Sequence, residues 1–251
     1  MITSKLKELI PDIRITTNLK QTLDSSDTVL FFNFKHNKLY DRLLSNGVNL
    51  FPYHDFVHFV RNRATQLKVI DTITKYPLKR EYIESHTGRI FSRSDLPILK
   101  VGYSHQGDGK YKWPSQHHKT CYNDPVVFEE FVQNHRAIRV LIIESDIFVI
   151  EQINDHWIKN QYPIDEIVYH FNIESEKAIA DIPHIEDIIR DALVIKDFCK
   201  TPLIGVDYAV GDKIGLLEVN DMVGMPNSMA AIDALTKLFV KVINTFPNRI
   251  L

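Results

Sequence analysis

Two acidic side chains and one amide lie close together near the carboxyl-terminal end of the sequence. Asp207 precedes the polar turn Gly211-Asp212-Lys213, and Glu218 and Asn220 follow it. The apolar stretches on both sides of the turn predict a β-hairpin in which Asp207 lies opposite Glu218. Glu218 and Asn220 are two residues apart, so they point to the same face of their strand. Because carboxylate and amide oxygens suit Mg²⁺, which proteins usually share with substrate phosphates, we expect these three residues to bind Mg²⁺ rather than to form a solvated polar face.

A lysine in an apolar strand and a glycine-containing loop provide a second group of candidate residues. Lys100 lies within the run Leu96–Gly102. A lysine in such a place either extends its amine to the surface or directs it at a bound anion. Gly107, Gly109 and Lys110 follow in a loop, where glycines let backbone N–H groups approach phosphate oxygens, although two glycines alone are typical of an ordinary turn. Together with the acidic hairpin, the lysine and the loop indicate a nucleotide site.

The composition is that of an ordinary globular protein, with 44% hydrophobic and 25% charged residues among 251. The sequence contains no apolar run of membrane-spanning length, and its first residues lack the pattern of a signal peptide. Cys121 and Cys199 are the only cysteines, which argues against a disulfide framework or a structural zinc site. We therefore expect a cytoplasmic protein without a membrane partner.

The net charge of −2 is unevenly distributed along the sequence. Residues 61–119 contain 12 Lys and Arg against 5 Asp and Glu, whereas residues 120–251 contain 11 against 21. This asymmetry favours a polyanion held between a basic and an acidic part, with a cation on the acidic side. The alternative is that basic and acidic surfaces pair across a domain boundary.

Strands and helices must position these residues. The apolar periodicity predicts a mixed α and β chain, an α+β fold with small domains around a central cleft. Predicted strands cover Thr28–Phe34, Pro97–Tyr103, Val126–Val132, Ile138–Ile143 and Ile147–Gln152, and predicted helices cover Phe56–Thr74, His184–Lys200 and Ser228–Phe246.

The order of these motifs resembles that of the ATP-grasp superfamily. The likeness is carried by the strand and loop around Lys100, by the stretch Phe128–Val132, by the acidic hairpin and by the stretch Asn62–Lys68. Locally it is nearest to synapsins, ribosomal-protein glutamate ligases and glutathione synthetases. The resemblance implies an ATP-grasp fold, in which the nucleotide lies in a cleft between two α+β subdomains. It implies a short N-terminal α/β unit at residues 1–60, a central subdomain at 61–132 and a C-terminal subdomain at 133–251.

The resemblance also implies roles for individual residues. Arg63 and Lys100 would contact phosphates, the stretch Glu130–Val132 would hold adenine, and the hairpin would bind one or two Mg²⁺. The implied catalytic residues are Lys100, Arg139 and Asn160. The implied cofactor-binding residues are Arg63, Lys100, Gly107, Gly109, Lys110, Glu129, Glu130, Phe131, Val132 and Lys159, and the implied metal ligands are Asp207, Glu218 and Asn220.

Two positions depart from the family pattern. Ala137 stands where relatives carry an acid for the ribose, and Ile150-Glu151-Gln152 stands where they carry a catalytic arginine, which Arg139 or Lys159 would have to replace. The resemblance implies a ligase that uses ATP and Mg²⁺ to join a carboxylate to an amine through an acyl phosphate, with a peptide or protein among the candidate substrates. A non-catalytic, synapsin-like ATP-binding protein and an enzyme acting on nucleic-acid ends are the alternatives. A homodimer remains open.

Overall fold

The computed structural model describes residues 2–9, 28–30, 37–83, 95–101, 110–112, 125–133, 135–153, 165–171, 181–221 and 228–245. The strands are β1 (Thr28–Leu30), β2 (Asn49–Phe51), β3 (Arg80–Ile83), β4 (Ile98–Val101), β5 (Lys110–Lys112), β6 (Val126–Glu129), β7 (Arg136–Ile143), β8 (Asp146–Ile153), β9 (Asp165–Phe171), β10 (Leu203–Val210) and β11 (Ile214–Asn220). The helices are α1 (Ile2–Leu9), α2 (Asn37–Ser45), α3 (His54–Arg61), α4 (Arg63–Ile70), α5 (Ile185–Cys199) and α6 (Met229–Asn244).

The larger sheet has five antiparallel strands in the order β11-β10-β7-β8-β9. Every residue of β10 is buried, because both faces of the sheet are covered by helices. On one face, α4 and α5 pack on a core that includes Val206 and Tyr208. On the other face, α6 packs on Leu141, Ile143 and Leu203. Alternate residues of the strands point to opposite faces, which explains why consecutive apolar residues serve two cores.

The smaller sheet has four antiparallel strands in the order β3-β6-β4-β5. Leu99 and Phe128 are paired across it and are buried on one face with Leu96. The opposite face carries Lys100, which is paired with Val127 of β6 and Lys110 of β5. This charged face meets the edge strand β11 of the larger sheet. The contact is direct, through Lys100 Nζ and the carbonyl oxygen of Leu217 and through Lys110 and Glu218, and a nucleotide cleft at this junction stays a prediction.

The helix predicted from Phe56 to Thr74 is wrong as one continuous helix. The structure has two helices there, because Asn62 leaves the helical conformation with φ −89° and ψ 89°. Its side-chain oxygen accepts a hydrogen bond from the backbone N–H of Thr65 at 3.1 Å, which caps the second helix. Arg63 is consequently the first residue of α4. Within the described part of the chain, no helix has the length and apolar character of a membrane span.

The hairpin of β10 and β11 contains a β-bulge. Val210 pairs with Ile214 beside the turn, and farther along the hairpin Asp207 pairs with Glu218. A regular ladder starting from the first pair would place Leu217, not Glu218, opposite Asp207. The register shift makes Leu217 the extra residue, and it turns Glu218 to the face on which Asp207 lies.

Candidate functional site

The three residues expected to bind metal lie together on one face of the hairpin. Asp207 and Glu218 are directly paired, and the side-chain amide of Asn220 donates a hydrogen bond to Asp207 Oδ2 at 3.1 Å. Asp207 and Glu218 are buried, with 3% and 5% of their surface exposed. The structure therefore brings the three side chains together as the sequence predicts, and their binding of a metal ion stays a prediction.

Arg139 holds both oxygens of Asp207. It lies opposite Asp207 on the neighbouring strand β7, with Nε 2.6 Å from Oδ1 and Nη2 2.8 Å from Oδ2. Burial acts to lower the pKa of the Arg139 guanidinium, but the charge of Asp207 outweighs it and the pKa lies above its ordinary value. Such bidentate pairs are among the strongest in proteins.

Glu218 is paired with two cations from other parts of the chain. Its Oε2 lies 3.0 Å from Nη2 of Arg63 and 3.1 Å from Nζ of Lys110. Burial would raise the pKa of the Glu218 carboxyl, but Lys110 and Arg63 outweigh it and hold the pKa well below its ordinary value. Glu218 is therefore an ionised carboxylate, which is the form that binds a metal ion.

Lys100 lies at the junction between the two sheets. Its Nζ is 2.6 Å from Glu129 Oε1 and donates a hydrogen bond to the carbonyl oxygen of Leu217 at 3.1 Å. Burial lowers the pKa of Lys100 to about 8, against the opposing charge of Glu129. The amine thus points inward and does not extend to the surface, which was one of the two alternatives left open by the sequence; the other, that the amine is directed at a bound anion, stays a prediction.

Glu129 was expected to bind the cofactor, and its side chain is buried between cations. Lys100 binds one carboxylate oxygen, and Arg80 Nε lies 2.7 Å from the other. Burial would raise the pKa of Glu129, but Lys100 and Arg80 lower it below its ordinary value. Arg80 also binds Asp71 and the carbonyl oxygen of Leu216. Arg80 was not identified from the sequence, where it stands in a charged stretch that resembles an ordinary solvated surface.

The residues after β6 connect the small sheet to the hairpin turn. The backbone N–H of Glu130 donates to the carbonyl oxygen of Lys79 at 3.1 Å, and the Glu130 carboxylate pairs with Lys213. The carbonyl oxygen of Val132 is 2.9 Å from His135 Nδ1. Two of the backbone groups expected to hold adenine are thus already bonded within the protein.

The ring of Phe131 contacts His135 edge-on, with 5.4 Å between ring centroids. Adenine binding by Phe131 and its neighbours therefore stays a prediction. Four other expected site residues, Gly107, Gly109, Lys159 and Asn160, lie outside the described residues.

The oxygen donors fit Mg²⁺ in chemical type. Two ionised or ion-paired carboxylates and one amide converge, and hard cations such as Mg²⁺ prefer oxygen ligands. In the described ranges, no group of three His, Cys, Asp or Glu side chains could hold a metal by itself.

Comparison with known proteins identifies solved structures that have a similar fold. No protein-family model matches the chain, and no curated protein matches it. The D-alanyl-alanine synthetase A of Vibrio cholerae O1 biovar eltor str. N16961 is similar in structure, with a TM-score of 0.62, 17% identity, and coverage of 88% of this chain and 77% of that one. The D-alanine–D-alanine ligase of Bacillus anthracis complexed with ATP gives a TM-score of 0.59 at 14% identity, with 88% and 79% covered. The ATP-grasp ligase PsnB complexed with a minimal precursor gives 0.52 at 12% identity, with 88% and 80% covered.

Proposed function

We propose that this chain, which has the ATP-grasp fold, is a ligase that uses ATP and Mg²⁺ to join a carboxylate to an amine. The observation that carries the proposal is the pairing of the inward-facing cations with the acids of the hairpin and of β6. Among the described residues, these cations are Arg63, Arg80, Lys100, Lys110 and Arg139, and their partners on the hairpin and β6 are Glu129, Asp207 and Glu218.

This set of side chains carries two more positive than negative charges, five against three, and suits a polyphosphate. A triphosphate that enters the cleft would take over the cations that now neutralise carboxylates. Arg63 and Lys110 would turn from Glu218 to phosphate oxygens, and Lys100 would turn from Glu129. The exchange leaves the carboxylate of Glu218 accessible to a metal ion, so phosphate and Mg²⁺ support each other's binding.

Asp207, Glu218 and Asn220 would hold the Mg²⁺ in this proposal. The ion would supply additional positive charge where the phosphates bring negative charge. Arg139 keeps Asp207 in place on the neighbouring strand and adds a fixed positive charge close by. Fixed charges of this kind stabilise a transition state because they need no rearrangement during the reaction.

The proposed reaction has two steps. An oxygen of the substrate carboxylate forms a bond with the γ-phosphorus of ATP while the bond to the β-phosphate oxygen breaks and ADP leaves. The amine then attacks the acyl carbon of the resulting acyl phosphate, inorganic phosphate leaves, and the amine loses a proton. Lys100 and Arg63 would hold the phosphates in line, and the buried site would keep water from the acyl phosphate.

A non-catalytic nucleotide-binding protein is the second candidate, and one contact favours it. Gln152 lies in the stretch where the resemblance calls for a catalytic arginine, and its amide donates to Glu166 Oε1 at 3.3 Å. A neutral amide cannot neutralise a transferring phosphoryl group, a contribution on the order of 10³-fold or more for an arginine in comparable reactions. The nucleic-acid alternative loses support, because the basic residues Arg63, Arg80 and Lys110 are buried in ion pairs.

Calorimetric titration with ATP, with and without Mg²⁺, tests the proposal. It is followed by phosphate release measured against a panel of amino acids and short peptides. Mg²⁺-dependent binding with acceptor-stimulated phosphate release supports the ligase, and binding without turnover supports the non-catalytic candidate. Absence of ATP binding contradicts both. Glu151→Gln serves as a control variant in both assays. Glu151 also pairs with an arginine, but it lies on the face of the larger sheet opposite to Asp207 and Arg139.

A further inference from the structure

We propose that Arg80 is a positioning residue for Lys100, since it neutralises Glu129 when Lys100 moves to a nucleotide phosphate. The inference rests on the proposed function. Arg80 and Lys100 bind the two oxygens of the same carboxylate, at 2.7 Å from Oε2 and 2.6 Å from Oε1. Glu129 therefore has one cation that can leave and one that can stay.

The contacts of Arg80 identify it as the cation that stays. Its side chain is 1% exposed, and its guanidinium also binds the carboxylate of Asp71 and the carbonyl oxygen of Leu216. Asp71 is itself fixed by the hydroxyl of Tyr82, which donates to Oδ2 at 2.6 Å. A planar guanidinium with partners in three directions has one available position.

Lys100 differs because its amine ends a flexible four-carbon chain. Among the described residues, its polar contacts are Glu129 and the carbonyl oxygen of Leu217. Rotation about the side-chain bonds can carry the amine from Glu129 towards the hairpin face without any change in the backbone. The charged groups around the amine are Glu129 on β6, Arg80 on β3, Lys110 on β5 and Glu218 on β11.

The location of Glu129 explains why it needs a second cation. Glu218 belongs to the proposed metal set, so Mg²⁺ would replace the two cations that it loses to phosphate, and Asp207 keeps Arg139 throughout. Glu129 lies on the smaller sheet and outside that set. Without Arg80, the departure of Lys100 would leave a buried carboxylate with no cation, which is strongly unfavourable. Arg80 thus makes Lys100 available to the nucleotide.

A double-mutant cycle on ATP affinity tests this role. The variants are Arg80→Met, Lys100→Met and both together, with Arg136→Met as a control that removes an arginine–glutamate pair from the same protein. Arg80→Met is expected to weaken ATP binding about tenfold, within the range for residues of one ion-pair network, and to have no further effect once Lys100 is absent. A merely structural role of Arg80 would weaken binding by the same factor in both backgrounds, which overturns the inference.

Glu129→Gln in the Arg80→Met background provides a second test and removes the buried charge that could prevent folding. A neutral amide no longer retains Lys100, so ATP affinity is expected to return to within a few-fold of the unmodified protein. A folded double variant, judged by its circular dichroism and melting, that stays as weak as Arg80→Met overturns the inference. If the unmodified protein binds no ATP, the proposed function fails first and the inference fails with it; if it binds ATP and Arg80→Met binds equally well, the inference alone fails.

Discussion

Arg139 and Asp207 face each other on adjacent strands of the larger sheet, and both carboxylate oxygens accept from the same guanidinium at 2.6 Å and 2.8 Å. Asp207, which the sequence predicts to be a metal ligand, is thus paired with a cation of the same sheet. The pair fixes the orientation of Asp207 before any ligand is bound. The pair also makes the stability of the folded protein depend on Arg139, because a buried carboxylate without a counter-charge is strongly unfavourable.

Arg139→Gln should destabilise the protein strongly. It removes the bidentate partner of the buried Asp207, and breaking such a pair from one side costs about 3–5 kcal/mol. Urea denaturation measures the change. Arg136→Gln removes a more exposed arginine–glutamate pair and should cost less than about 1 kcal/mol. Added Mg²⁺ should restore part of the stability of Arg139→Gln, and equal costs for the two variants would count against the buried pair.

Glu218→Gln should abolish the effect of Mg²⁺ on ATP binding without weakening metal-free binding. The substitution removes a proposed metal ligand, but it also releases Arg63 and Lys110 from their carboxylate. Calorimetric titration of both proteins, with Mg²⁺ and with a chelator, measures the two effects separately. An undiminished Mg²⁺ effect in the variant would refute the metal assignment.

ATP affinity should fall as the pH rises above about 8. Burial lowers the pKa of Lys100 to about 8, so above that pH the amine of the free protein is increasingly neutral and attracts phosphate less. Binding would then restore the charged form and take up a proton. Calorimetry at about pH 9 in two buffers of different ionisation enthalpy detects this uptake. Lys100→Met should take up no proton, and uptake by that variant would assign the effect to another group.

Gly211→Ala should be more harmful than Gly215→Ala, although both glycines lie in or beside the same hairpin. A Cβ on Gly211 would be 2.2 Å from the backbone oxygen of Gln133, whereas a Cβ on Gly215 would be 2.3 Å from Cδ2 and 2.8 Å from Cγ of Leu78, so that the whole side chain of Leu78 has to move. A leucine side chain can rotate away, but a backbone carbonyl cannot. We expect a loss of about 1–3 kcal/mol for Gly211→Ala and a smaller loss for Gly215→Ala, both measured by urea denaturation. Equal losses would mean that Leu78 is as immobile as the backbone.

The fold and the residues that form the hairpin could be predicted, because the sequence features that indicate them lie close together in the chain. A polar turn between two apolar stretches indicates the hairpin, and residue spacing indicates which side chains share a face. The bulge at Leu217 has no such signal, yet the pairing of Asp207 with Glu218 depends on it. The end of α3 at Asn62 was missed because the apolar periodicity continues through that position.

Buried charges that neutralise one another over long distances in sequence could not be predicted. Arg80 and Glu129, which form such a pair, are separated by 49 residues. Hydrogen bonds to a buried acid can be equally distant in sequence: Asp191 accepts from the hydroxyls of Thr74 and Tyr208 at 2.7 Å and 2.9 Å. In sequence, such residues are indistinguishable from the charged surface that most proteins have. Only the three-dimensional packing shows that they are interior.

The attachment of the hairpin turn to the residues after β6 sets a minimum length for a ligand that uses both. The backbone N–H of Gln133 donates to Asp212 Oδ1 at 3.0 Å, so the turn and this segment form one end of the site. Asp207 lies four residues from Gly211 along β10, which corresponds to about 13 Å of extended strand. A molecule as short as inorganic phosphate can reach the acids or the segment after β6, but not both. If the segment after β6 holds adenine, as the sequence predicts, then a ligand that binds both ends of the site has to be elongated, whereas a compact ligand contacts one end only.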